Sequence, residues 1–155
     1  MASSAGLLVA MLISALSFVK DSFKLELTDF DNNMKILVTH HYWDRPGGGE
    51  LVAGAFAIAF NELGHYVELT ATTKFCMQCY KTWFGMDLTK FKVHALPFKL
   101  RAFGIYLRSF SWLPAVTVIP RMRPDLVFVD FYAVSPIVKL KRRYGFKTIE
   151  YIHYP

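Results

Sequence analysis

Cysteine and charge are both scarce in this 155-residue chain, which holds only Cys76 and Cys79 and has 19% charged residues. A structural zinc site needs four ligands, and the single C-x-x-C has no second pair to complete one. A thioredoxin-type centre needs its motif at a helix start within its own fold, whereas "KFCMQCY" follows the strand-like "YVELTAT". The two cysteines are therefore expected to be reduced thiols. Low charge with 54% apolar residues excludes a disordered chain, and nine Gly with seven Pro excludes collagen-like and proline-rich classes. No internal period is present, so repeat architectures are excluded as well.

Acidic residues are scarce in one half only. Residues 69–155 hold fourteen basic and four acidic side chains, against four and eight in residues 1–68, for a net charge of +6. That asymmetry favours an anionic partner near the C-terminal half. The length suits one domain of about 100–200 residues and is too short for a complete two-domain enzyme.

Two segments follow from the pattern. Residues 2–19 carry no charge, and at roughly 1.5 Å per residue a helix there reaches about 27 Å, just short of a bilayer's hydrocarbon core. Lys20 and Lys24 follow it, so a spanning segment would leave the remainder on the cytoplasmic side. Residues 1–33 are read as an apolar leader or anchor with a linker. An appended leader before a functional start at Met34 stays open.

From Met34 to Pro155, β-branched runs alternate with helical segments, the pattern of a parallel sheet covered on both faces. Strands are expected at Lys35–His41, His65–Thr72, Phe91–Pro97 and Pro124–Phe131, with a fifth in "FKTIEYIHY". A helix in "GGGELVAGAFAIAFNEL" should end at Gly64, and Ser135–Gly145 should form another. Residues 99–122 should hold one or two helices interrupted near Pro114 and Pro120. The fold class is α/β, a doubly wound, mostly parallel Rossmann-like sheet with an apolar N-terminal helix. Ligands are expected at the carboxyl ends of its strands, in the loops Tyr42–Glu50, Asp130–Ser135 and His153–Pro155. The chain stops after strand five, so it reads as a fragment.

The most specific feature is "HHYWDRPGGGE" between strand one and helix one. Glycines admit close backbone approach, and the helix start adds partial positive charge, which suits a phosphate or diphosphate. A tight strand-to-helix turn accounts for the same glycines. The third glycine of G-x-G-x-x-G is missing and no G-K-[ST] follows, so neither dinucleotide binding nor a P-loop is supported. His40 and His41 are adjacent, so on a strand they point to opposite faces and at most one faces the cleft; no metal site is expected. His153, at the end of strand five, could donate a hydrogen bond or move a proton at neutral pH, or could be structural.

The stretch 98–123 mixes aromatic and basic residues, with Arg101 and Arg108 on one helical face and Trp112 among the aromatics. A lipid interface fits this mixture, and so does a helix packed on the sheet with snorkelling arginines. No recognition motif accompanies it, so nucleic acid is not expected as a partner. The basic run Lys139–Lys147 is read as a solvated helix end.

His40-x-Tyr42, Gly47-Gly48-Gly49-Glu50 and the closing "YIHYP" together resemble the N-terminal domain of glycosyltransferase family 4, the acceptor half of the GT-B fold. They are most similar to its α-1,2-mannosyltransferase group acting on dolichol-linked oligosaccharide and to the prokaryotic relatives. The resemblance implies a retaining sugar transfer from a nucleotide-sugar donor to a lipid-linked or glycan acceptor, without cofactor or metal. It implies that Gly47, Gly48 and Gly49 approach the donor diphosphate and acceptor, with Glu50, His40 and Tyr42 in the same site. His153 would lie beside the transferred sugar as the catalytic candidate. The family's donor site and its E-x7-E glutamates belong to a second domain that is not in this sequence, so turnover is not expected from the chain alone. A membrane-associated position on the cytoplasmic side follows for a lipid-linked acceptor, with Arg101, Arg108 and Trp112 as membrane contacts. The alternative is a non-catalytic Rossmann-like module that binds an anionic partner.

Overall fold

The computed structural model describes residues 33–96, 112–130 and 135–152. Within them lie strands β1 (Lys35–Thr39), β2 (Tyr66–Ala71), β3 (Lys92–Ala95), β4 (Leu126–Asp130) and β5 (Lys147–Tyr151). The helices are α1 (Gly48–Glu62), α2 (Cys79–Phe84), α3 (Trp112–Met122) and α4 (Ser135–Tyr144). All strand pairings are parallel, in the order β3-β2-β1-β4-β5. This is the doubly wound, Rossmann-like α/β arrangement expected from the alternating pattern. The expected apolar N-terminal helix lies outside the described residues.

Strand alternation sorts the core into two layers. Ile36 and Val38 of β1 and Leu126 and Phe128 of β4 join one cluster with the alanines of α1, Trp43 and Tyr80. Leu37, Val127 and Val129 point the other way, into a second cluster with Ala115, Val118 and Ile119 of α3 and Ile137 of α4. Each fully buried side chain of this size is worth about 1.5–3 kcal/mol, so both faces must be covered. In α1 the small residues set the approach distance: a Cβ at Gly54 would stand 3.2 Å from Met86 Sδ and 3.4 Å from the Tyr80 ring. The helix ends as expected, with Gly64 at φ 87° and the His65 amide donating to the Phe60 carbonyl at 3.1 Å.

Three local expectations need correction. Pro114 and Pro120 do not break the segment; both lie within α3. Pro114 sits in the first turn, where an N–H has no partner to lose; Pro120 forgoes one bond, to the Val116 carbonyl, two residues before the helix ends at Met122. The six-residue α2 between β2 and β3 was not foreseen, being too short to show helical periodicity. Cys76 and Cys79 are joined in a disulfide rather than left as thiols. The motif leaves a turn and enters α2, a geometry that closes the short ring.

The amino rim of the sheet is tied by Asp125. Its amide donates to the Lys35 carbonyl at 2.8 Å, its carboxylate accepts the Lys35 amide at 2.8 Å, and its carbonyl accepts the Lys147 amide at 2.8 Å. The chain runs outward in both directions from β1, so the crevice of the fold lies where the carboxyl ends of β1 and β4 meet.

Candidate functional site

That crevice holds a buried ionic cluster. His40, the residue after β1, and Asp130, the last residue of β4, are each 2% exposed. His40 Nδ1 hydrogen-bonds the Asp130 carboxylate, and Thr39 Oγ1 donates to the Phe128 carbonyl at 3.1 Å across the same pair of strands. Glu50, in the first turn of α1, places Oε1 3.7 Å from His40 Nε2. His40 Nε2 is buried, and no hydrogen-bond partner reaches it.

Burial disfavours the His40 imidazolium, but the Asp130 hydrogen bond and the nearby Glu50 carboxylate outweigh it, and His40 holds its proton above the ordinary 6.5. Burial likewise pushes the Glu50 carboxyl up, while His40, Glu50's own backbone amide and the charge of His41 pull it down, so its pKa lies below 4.5. Whichever proton His40 carries, Nε2 is unsatisfied. As imidazolium it faces the Glu50 carboxylate at 3.7 Å, an ion pair longer than a hydrogen bond, and with Nδ1–H given to Asp130 it is a lone pair without a donor. Such a buried orphan costs about 1–3 kcal/mol.

The histidine pair differs from expectation. Strand β1 ends at Thr39, so alternation no longer applies, and the His40 and His41 rings stand 4.6 Å apart on one side of the crevice. His41 Nδ1 lies 3.9 Å from Asp130 Oδ2. One ligand atom from each of His40, His41 and Asp130 falls within 4.8 Å of the others.

The wall behind the cluster is aromatic. Trp43 is fully buried, meets the His40 ring edge-on at 5.2 Å, stacks on Phe75 at 5.2 Å and donates its indole N–H to the Thr70 carbonyl at 2.9 Å. Tyr80 donates its hydroxyl to the Trp43 carbonyl at 3.3 Å, and burial raises its pKa well above the ordinary phenol value. Thr72 Oγ1 hydrogen-bonds the His41 carbonyl. The β1–α1 loop is therefore fastened to the end of β2 at several points.

The glycine loop is only partly open. Gly47, the residue before α1, has extended backbone at φ −154°, so a positive φ does not explain it. The reason is proximity: a Cβ at Gly47 would overlap the Glu50 carboxylate. Glu50 has turned back on its own helix start and fills part of the anion seat that the three glycines suggested. Gly48 is exposed, with nothing within 4 Å of where its Cβ would stand.

Of the sequence-derived candidates, the fold brings His40, Glu50 and Gly47 into contact, with Gly48 and Gly49 alongside. Tyr42 is half-buried, its ring 6.0 Å from the Arg45 guanidinium carbon. His153, Arg101 and Arg108 lie outside the described residues. β5 ends at Tyr151, paired with Asp130. Trp112 is half-buried and packs against the α3–α4 core, as a helix resting on the sheet requires. Among the described residues no helix is long and apolar enough to cross a membrane. Sequence reasoning named the loop beginning at Asp130 but gave that carboxylate no role; its signal was an acid closing the apolar run "LVFVD". Comparison with protein-family models, curated proteins and solved structures returns no match.

Proposed function

We propose that this chain is the acceptor-side domain of a glycosyltransferase that moves a sugar from a nucleotide-sugar donor to a lipid-linked or glycan acceptor. The observation that carries the reading is the meeting of the Gly47–Gly49 loop with His40, Glu50 and Asp130 at the switch point of a parallel sheet. The resemblance of the same loop to glycosyltransferase family 4 supplies the reaction class.

The cluster's chemistry refines the division of labour. Two carboxylates against one imidazolium make the rim unwelcoming to a diphosphate, but carboxylates and an unpaired imidazole nitrogen are good partners for neutral sugar hydroxyls. An acceptor hydroxyl satisfies His40 Nε2, and Glu50 fixes a second hydroxyl from the helix start. The exposed Gly48 side remains for the donor's phosphates, and the donor's nucleotide belongs to a second domain. His153 is the candidate beside the transferred sugar, and Arg101, Arg108 and Trp112 are candidates for holding the domain at a membrane surface on the cytoplasmic side.

Ligand-observed NMR with neutral mannosides and with a nucleoside diphosphate tests the acceptor half. Mannoside binding that falls in Glu50→Gln is expected. No sugar contact combined with firm diphosphate binding would replace this reading with the anion-binding module. In the chain joined to a donor domain, transfer equal in wild type and His153→Ala would remove His153 from the site.

A further inference from the structure

We infer that Cys76 and Cys79 form a site of reversible thiol–disulfide exchange with a low-molecular-weight thiol, and that the state of this pair sets how tightly the β1–α1 loop is held. The loop is that of the proposed acceptor site, but its order is read on the unliganded chain, so either reading can fail without the other.

The pair stands between the two side chains that grip the loop. Phe75 precedes Cys76, and Tyr80 follows Cys79. Phe75 stacks on Trp43 with ring centroids 5.2 Å apart, Tyr80 donates its hydroxyl to the Trp43 carbonyl at 3.3 Å, and the Phe75 and Tyr80 rings meet edge-on at 5.9 Å. Trp43 in turn meets the His40 ring edge-on. The Cys76–Cys79 bond closes a short ring between these contacts and so fixes Phe75 relative to Tyr80. Without that bond the turn keeps the Cys79 amide on the Cys76 carbonyl at 3.2 Å and the Tyr80 amide on the Met77 carbonyl at 3.3 Å. A six-residue helix has little stability of its own to add. Tyr80 is fully buried and packs against Gly54 of α1, so it stays in place. Phe75 is only half-buried, and it is the end that relaxes.

A small thiol can reach the pair. Both cysteines are half-buried, beside the exposed Lys74 and Gln78. The Cys79 amide also approaches Cys76 Sγ at 3.2 Å, a hydrogen bond that favours negative charge on that sulfur and makes Cys76 the better leaving group. The exchange runs accordingly: an external thiolate attacks Cys79 Sγ, the Cys76–Cys79 bond breaks, and Cys76 leaves as thiolate. A second external thiolate then attacks the outer sulfur of the mixed disulfide and releases Cys79. Two external thiols are oxidised to one disulfide, the protein disulfide takes up two electrons, and the two thiol protons end on Cys76 and Cys79. On the cytoplasmic side proposed above, disulfides are usually transient, catalytic or redox-sensing, which fits a bond that opens and closes.

The test equilibrates the full chain, without sugar, in mixtures of reduced and oxidised glutathione. Thiols are trapped with iodoacetamide and counted by mass spectrometry, and hydrogen–deuterium exchange is followed in parallel. The two thiols should appear together and disappear again in oxidised glutathione. In the reduced chain the amides of residues 41–45 should exchange about tenfold faster, the effect expected for opening so short a ring, while α3 stays unchanged. The double change Cys76→Ser, Cys79→Ser should exchange like reduced wild type in every mixture; reduced wild type is measured directly, so a variant that fails to fold cannot hide the answer. The proposal is overturned if glutathione leaves the bond of the folded chain intact, if the bond does not re-form, if residues 41–45 exchange equally in both states, or if α3 speeds up as much as they do, which would make the bond purely structural.

Discussion

The sheet carries two clusters built from the same parts, and they are finished differently. On β2 and β3, Glu68 is buried and every approach to its carboxylate is used: Tyr66 donates at 2.7 Å, Lys92 at 3.1 Å, and His94 Nε2 lies at 2.6 Å. At the crevice, His40 is held as firmly by Asp130, yet its second nitrogen is left over. A fold that merely needed to bury a charge would have closed both. Satisfaction marks the first cluster as architecture; in the second, the buried Nε2 faces Glu50 at 3.7 Å, and it is there that the proposed acceptor contact falls.

The largest effect that could break this contrast is His40→Leu. It removes the buried His40 partner of the Asp130 carboxylate and should cost about 3–5 kcal/mol, read from urea unfolding. His94→Leu should cost only about 1 kcal/mol, because Glu68 keeps Tyr66 and Lys92; equal losses at the two sites would erase the distinction.

Acid sharpens it further. Burial raises the Glu68 carboxyl, but hydrogen bonds from Tyr66, His94 and Lys92 outweigh that and hold its pKa below 4.5. A lowered folded value means the stabilisation is complete above pH 4.5 and is lost as pH falls through the folded pKa. Glu68→Gln should flatten that acid limb and cost about 1 kcal/mol at neutral pH; an unchanged slope in a pH series of unfolding midpoints would contradict it. The smallest effect is Gly48→Ala, where open space and a helical position should give a gain of about 0.5 kcal/mol in stability. A loss of sugar or phosphate binding alongside that gain would show the glycine is kept for a ligand.

The strands were legible because each is a short β-branched run, and Gly64 and Gly145 punctuate the helix ends where the chain takes positive φ. Every strand came out shorter than its apolar run, and the cluster sits at the carboxyl ends, on the last residue of β4 and the residues just past β1. His40 and His41 were read as strand residues on opposite faces, but the strand ends at Thr39, two residues earlier, and strict alternation does not extend to them. Asp130 was visible only as the end of a strand, since its partner lies 90 residues away and no local pattern records that pairing. The glycine loop was read as an anion seat or a tight strand-to-helix turn; that Glu50 folds back onto Gly47 depends on the helix's first turn. The disulfide was missed because cysteine chemistry was argued from strand context, and the short helix that follows the pair left no periodic trace.

The central position of β1 has a consequence for biosynthesis. Its neighbour β4 follows it across most of the domain, and Asp125 can clamp Lys35 only when the intervening polypeptide has been made. A ribosome-bound chain that has reached β3 possesses histidines and glycines but no enclosed chamber around them. Closing so long a loop is entropically slow, so ligand competence should arrive abruptly and late, as a product of completed synthesis.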